Sequence, residues 1–229
     1  RVGHPEKIVP PHSVLSKKGP EEGDVQETRS LIDKFVQDQF IDDIKDPNHP
    51  YKGLLLDVIN DLKVLTNTWL QKVIEISKTT TKVAENSKAL VVPYGSYHLG
   101  VSMVNSDLDA IILAPKFVDR DKHFFGELPE VLKKDSNASD IQTIKIAYVP
   151  IIKFKYKNVS IDLSFAALDT SSLDYDNLEK LNDDSILTHM DSEMKRSVNG
   201  FRVAEKILQS VPNIDNFKTT LKFVKVWAK

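Results

Sequence analysis

A chain of 229 residues that is 41% hydrophobic and 28% charged holds enough apolar material for one substantial core, or for a domain with an appendage. Its net charge of −2 supplies no general attraction to nucleic acid, so such binding has to come from local patches or from a segment outside the chain. No stretch approaches the roughly 20 apolar residues of a membrane span, residues 1–20 lack a signal-peptide core, and the absence of cysteine excludes disulfides, thiolate metal sites and a cysteine nucleophile.

Residues 1–20, with Pro10, Pro11 and Pro20, read as an extended N-terminal arm. Apolar periodicity from Val25 through Leu31, Ile32, Phe35 and Val36 to Phe40 predicts a first helix. Turn signals at Asp46, Pro47, Asn48 and Pro50 separate it from a long amphipathic helix from about Leu54 to Ile76. Strands are expected at Ala89–Val92, Leu108–Ala114, Thr143–Tyr148, Ile151–Tyr156 and Val159–Ala166, with a helix from Asp121 to Lys134. Two further helices, about Ser192–Ser210 and Asn213–Lys229, are separated by Pro212. The pattern is α+β, a mixed sheet with flanking helices, without internal repeats. Arg1 at the start and a last helix without a stop signal make a longer parent chain the expectation.

The sharpest local signal is Gly95-Ser96 followed by Asp107-Leu108-Asp109 at the head of an apolar run, Ile111 to Ala114. Side chains alternate along a strand, so Asp107 and Asp109 share a face, close enough to share a divalent ion. A third carboxylate, Asp162, lies mid-strand in Val159 to Phe165, on the face opposite the apolar residues. Ionised groups are seldom buried unpaired, and oxygen donors suit Mg²⁺ or Mn²⁺, so three acids on neighbouring strands could hold two ions. Taken singly, a D-x-D is more often a turn or cap than a metal site, and a strand aspartate can face water.

In the terminal helix Lys218, Lys222, Lys225 and Lys229 fall in one stripe, with Leu221, Phe223, Val224, Val226 and Trp227 over much of the rest. A helix apolar over most of its surface is expected to be buried, its lysine ridge facing solvent or an anion-filled cleft. Asn199-Gly200 interrupts the periodic stretch Met194 to Leu208, where Gly costs about 1 kcal/mol relative to Ala. An amide aimed at a ligand hydroxyl and a helix break are both open explanations. His98 and His123 are isolated and are given no metal role.

Several motifs, in order and spacing, resemble the eukaryotic nuclear-type poly(A) polymerases: Tyr94 to Val101, the D-x-D after ten residues, Ala114 to Val118, Tyr148 to Lys153, Ile161 to Leu163, Ser197 to Val203, Val211 to Asn213 and Lys225 to Ala228. With Gly19-Pro20 leading into Leu31-Ile32, the similarity covers nearly the whole chain. Two departures are His98, where the family usually carries Arg, and the loop Ser102 to Asn105, which lacks the family's typical His and Gly residues.

This resemblance implies a polymerase-β-like nucleotidyltransferase that adds AMP from ATP to RNA 3′ ends, with two Mg²⁺ or Mn²⁺ ions per site. By it, Asp107, Asp109 and Asp162 are catalytic metal ligands, and Gly95 and Ser96 hold the triphosphate. Val149 packs on adenine, Asn199 contacts the ribose and Lys225 contacts the triphosphate. The implied organisation is the arm at 1–20, N-terminal helices at 21–80 packing on the core or middle domain, the catalytic core at 81–190, and helices opening a middle domain at 191–229. The RNA-binding domain and two nucleotide contacts would lie beyond Lys229, so the isolated fragment need not be active. ATP, an RNA 3′ end and cleavage and polyadenylation factors are the implied partners, without a membrane, in the nucleus. A related terminal transferase with another nucleotide preference and a catalytically inactive scaffold are the competing readings.

Overall fold

The apolar runs assemble into a single sheet in the computed structural model, which describes residues 21–36, 39–43, 49–77, 87–169, 178–188 and 190–229. The expected arm at 1–20, the turn at Asp46 to Asn48 and the boundary at residues 80 and 81 lie outside the described residues. Strands β1 (Leu90–Pro93), β2 (Leu108–Pro115), β3 (Ala138–Ile144), β4 (Ile151–Tyr156) and β5 (Val159–Leu168) lie in the order β1-β2-β5-β4-β3. The β2–β5 pair is parallel and the other three pairs are antiparallel. Parallel strands start at the same end of a sheet, so residues early in β2 lie beside residues early in β5.

β2 is apolar at nearly every position because both of its faces are covered. On one side Leu108, Ala110 and Ile112 join a cluster with Trp69, Leu70 and Val73 of helix α2 (Pro50–Ser77). On the other, Ile111 and Leu113 join Val198 and Phe201, which belong to a later helix, Ser192–Ser210. Helix α2 buries Leu55, Val58, Leu62, Trp69 and Val73 at the three- and four-residue spacing of one helical stripe. Its Asn67 side chain donates to the Ala89 carbonyl at 3.2 Å and accepts from the Ala89 amide at 3.0 Å, fastening the helix to the entry of β1. Full burial of a side chain such as Trp69, at 0% exposure, is worth roughly 1.5–3 kcal/mol or more.

Two expected elements differ. The third strand is Ala138–Ile144 rather than Thr143–Tyr148. Ile144 pairs with Ile151, so residues 145–150 form the β3–β4 connection, and Pro150 has no amide to extend the ladder. The span expected as one helix from Asp121 to Lys134 is a π-helix, Arg120–Glu127, followed by an α-helix, Leu128–Leu132. Asp119 caps the first by accepting from the Lys122 amide, and Pro129 stands in the first turn of the second, where no amide donor is needed.

Numbering the remaining helices in chain order, α1 is Glu22–Val36, α3 the single turn Gly95–His98, α4 Leu128–Leu132, α5 Ser192–Ser210 and α6 Ile214–Trp227. Asp191 caps α5 by accepting from the Glu193 and Met194 amides, and Asn213 caps α6 by accepting from Asn216. α1 lies against α6, where the Phe35 and Phe223 rings are 5.3 Å apart. The expected burial of the apolar surface of α6 is not met, and of the two places open to its lysine ridge, solvent or an anion-filled cleft, Lys222 and Lys225 take the inward one. Lys222 is buried, paired with Asp43, and lies over the Phe40 ring, while Phe223, Val224 and Trp227 are exposed. The Asp43 carboxylate and the Val101 carbonyl draw Lys222 and Lys225 inward, which an apolar count along the helix does not register.

Candidate active site

The parallel β2–β5 register sets Asp109 directly beside Asp162. Both are half-buried on the sheet face that α5 covers, since their neighbours Ile111, Leu113 and Ala166 pack with Val198 and Phe201. Asp107 is exposed just before β2. Lys153 of β4 is the cross-strand partner of Asp162, and its ammonium donates to Asp162 Oδ1 at 2.9 Å and to Asp107 Oδ2 at 3.0 Å. All three sequence-identified acids are thus drawn to one end of the sheet.

Gly95 closes over this group. Its φ is +62°, and a Cβ there would lie 2.7 Å from Asp109 Oδ2, so the turn needs glycine both for its backbone and for the space. Ser96 follows in α3, half-buried, and its carbonyl accepts from the Val101 amide at 2.9 Å. The Tyr94 amide donates to the Asp109 carbonyl at 2.9 Å, tying the turn to β2.

Helix α5 approaches the same turn. A Cβ on Gly200 would lie 2.7 Å from the Tyr94 ring, which supplies a packing reason for the glycine inside a continuous helix. Of the two open explanations for Asn199-Gly200, the helix break does not occur. Asn199 is exposed one residue before that contact. Arg196, one turn earlier, places its guanidinium 4.7 Å from the centre of the Tyr148 ring and donates to the Tyr148 carbonyl. This bond ties the connection that carries half-buried Val149 to the helix that carries Asn199. His98 of α3 pairs with Glu205 of α5 at 2.5 Å, a second link between turn and helix. From α6, half-buried Lys225 donates to the Val101 carbonyl at 2.9 Å.

The electrostatics follow from this crowding. Burial, then the charges of Asp162 and Asp107, push the Asp109 carboxyl above the ordinary aspartate range, while Lys153 and Lys225 pull it back. Burial and the neighbouring Lys229 charge hold the Lys225 ammonium below its usual value, against the pull of Asp109. Burial likewise raises the Tyr94 hydroxyl, opposed by its contact with Ser164 and reinforced by Asp109 and Asp162.

A raised folded-state value means that ionised Asp109 opposes folding: its contribution is full below the ordinary aspartate range and is lost as pH rises through the raised value. Asp109→Asn is therefore expected to melt about 2–4 °C higher than the parent at pH 7 in chelator, with the gain gone near pH 3. Thermal unfolding at the two pH values measures it; an equal shift at both contradicts the stated cause.

The donor set is all oxygen and anionic, and its mutual repulsion is only partly offset, which fits a hard divalent cation. Among the described residues, no three acidic or histidine side chains close into a ready ligand cage. Lys153 lies between Asp107 and Asp162 instead. Sequence reasoning assigned Lys153 no role, though its signal was present: it alternates with the buried Ile152 and Phe154 and so faces the acids. The packing roles of Tyr94 and of Asp43 left no comparable trace.

A family model for the poly(A) polymerase nucleotidyltransferase domain matches residues 12–211. Nuclear poly(A) polymerase 1 of Arabidopsis thaliana is 34% identical over 215 residues, and nuclear poly(A) polymerase 2 of the same plant is 31% identical. Each alignment takes in 94% of this chain but 29% and 26% of the respective relative, so the chain spans little more than a quarter of their length. Among solved structures, a Cid1 poly(U) polymerase with MgGTP bound overlaps 69% of this chain and 40% of its own, at TM-score 0.40 and 20% identity. The GLD-2/RNP-8 complex overlaps 61% and 39%, at TM-score 0.41 and 14% identity.

Proposed function

We propose that this chain, which belongs to the poly(A) polymerase nucleotidyltransferase family, transfers AMP from ATP to the 3′ end of RNA. The observation that carries the reading is the junction of Asp107, Asp109 and Asp162 under the Gly95-Ser96 turn. A site of fixed negative charge beside a glycine-opened turn suits a phosphate substrate that arrives with its own cations.

In this reading Asp107, Asp109 and Asp162 hold two divalent ions, Mg²⁺ or Mn²⁺. When bound, these supply positive charge at the reacting phosphate and make the attacking hydroxyl more acidic. The RNA 3′-hydroxyl oxygen forms a bond to the α-phosphorus of ATP, the bond to the β-phosphate oxygen breaks, and pyrophosphate leaves. Gly95 and Ser96 cradle the triphosphate, Lys225 neutralises charge on the leaving group, Asn199 binds the ribose and Val149 packs on the adenine. The carboxylates take up the hydroxyl proton or pass it to water. Residues 81–190 act as the catalytic core, with the helices of 21–80 and 191–229 around it. The whole protein works in the nucleus with cleavage and polyadenylation factors; the names of the plant relatives support the compartment.

Calorimetric titration with a non-hydrolysable ATP analogue in Mg²⁺ or Mn²⁺, comparing the parent with the Asp107→Ala, Asp109→Ala double variant, tests the site. Metal-dependent binding by the parent, lost in the variant, is expected. Equal, metal-independent binding by both would overturn the assignment. Competition between ATP and UTP on an RNA primer reads the nucleotide preference, with ATP expected to prevail.

A further inference from the structure

Lys153 is held where the proposed ions belong. Its ammonium donates to one oxygen of Asp107 and one of Asp162, at 3.0 and 2.9 Å. An ion that ligates both carboxylates must settle beside a positive charge already in contact with one oxygen of each, and the two cations compete for the same pair of negative charges. The backbone cannot relieve this conflict, because Lys153 is the direct cross-strand partner of Asp162 in the β4–β5 ladder. The side chain can: it is 39% exposed, and a four-carbon stem lets the charge swing while its Cα stays fixed. A swing gives up two carboxylate partners for water, and another anion beside the site restores the charge pairing that is lost.

We propose that Lys153 is a built-in competitor cation that keeps Asp107 and Asp162 paired without nucleotide and makes divalent-ion loading depend on the nucleotide's triphosphate. The inference rests on the reading of these acids as metal ligands. Lys153 is a positioning residue here. The triphosphate arrives with the ion, offers oxygens to the displaced ammonium and restores the charge balance in one event. Divalent ion alone gains no such exchange and binds weakly. The burden on the acids is real, since Asp109 receives only partial relief from Lys153 and Lys225.

Mn²⁺ binding to the chain, followed by the paramagnetic resonance of free Mn²⁺, tests the proposal with and without a non-hydrolysable ATP analogue. Without nucleotide, Lys153→Gln is expected to bind Mn²⁺ about tenfold more tightly than the parent, and Lys153→Arg like the parent. With the analogue the advantage should shrink, because the parent gains more from the triphosphate. A substitution that only loosened the site would weaken Mn²⁺ binding, so the sign separates competition from structure; Lys153→Met gives an independent second reading. Equal or weaker Mn²⁺ binding by both Lys153→Gln and Lys153→Met, still abolished by Asp107→Ala, would overturn the inference alone. Absence of any Asp107-dependent Mn²⁺ binding in parent and variants would overturn the metal-ligand reading and the inference with it.

Discussion

Asparagine in place of Asp162 is expected to lower nucleotidyl transfer by about a thousandfold while the protein still folds. The substitution keeps the side-chain shape, and its strand neighbours Ile161 and Leu163 remain buried in the core. An amide oxygen can still accept from Lys153, so the β4–β5 ladder keeps its cross-strand contact. What disappears is one unit of negative charge beside Asp109. Losing one preorganised electrostatic group at a reacting centre costs about 10²–10³ in rate, and a lost metal ligand belongs at the upper end. Asp109 should respond as well, because the Asp162 charge is the second cause of its raised value, after burial. Primer extension with ATP and Mg²⁺ measures the rate, and circular dichroism with thermal melting checks the fold. A variant that folds like the parent and retains more than a tenth of its turnover would remove Asp162 from the proposed ligand set.

How far the sequence discloses such a site depends on what sets each residue's place. The acids were legible because charge inside an apolar strand violates the strand's own pattern, and side-chain alternation then fixes the face. Alternation cannot give the strand order. That β5 lies beside β2 in parallel register, aligning Asp109 with Asp162, follows from packing across distant segments. β4 was located to the residue because its alternation is clean, whereas β3 was displaced: Ile146 and Tyr148 look like strand residues but are exposed in the connection. The outcome for α6 has the same root. Its lysine spacing was visible, but the partners that turn it inward, Asp43 and the Val101 carbonyl, lie 179 and 124 residues away. Gly200 was recognised as anomalous, yet its reason, the ring of Tyr94, is again a distant contact.

Gly95 gives the sharpest steric prediction. Its φ of +62° is a conformation that costs a residue with a Cβ about 1–2 kcal/mol, and the added atom would sit 2.7 Å from Asp109 Oδ2. The turn cannot slide aside freely, because the Tyr94 amide is bonded to the Asp109 carbonyl on β2 and the Tyr94 ring is pressed against Gly200. Asp109 must therefore rotate away, and a displacement of about 1 Å at a reacting centre can cost about a hundredfold. Gly95→Ala is expected to lose about 2 kcal/mol of stability and at least about a hundredfold of transfer, read by chemical denaturation and primer extension. Gly53→Ala in α2, where nothing lies within 4 Å of the new Cβ, is the matched control and should be neutral or stabilising by up to about 1 kcal/mol. A cycle with Asp109→Ala separates the two penalties. With the carboxylate gone, Gly95→Ala should cost only its backbone share, so the two substitutions should destabilise less together than the sum of their separate effects. Strict additivity would mean that the turn and the acid do not press on one another, and the expected loss of transfer would then need a different origin.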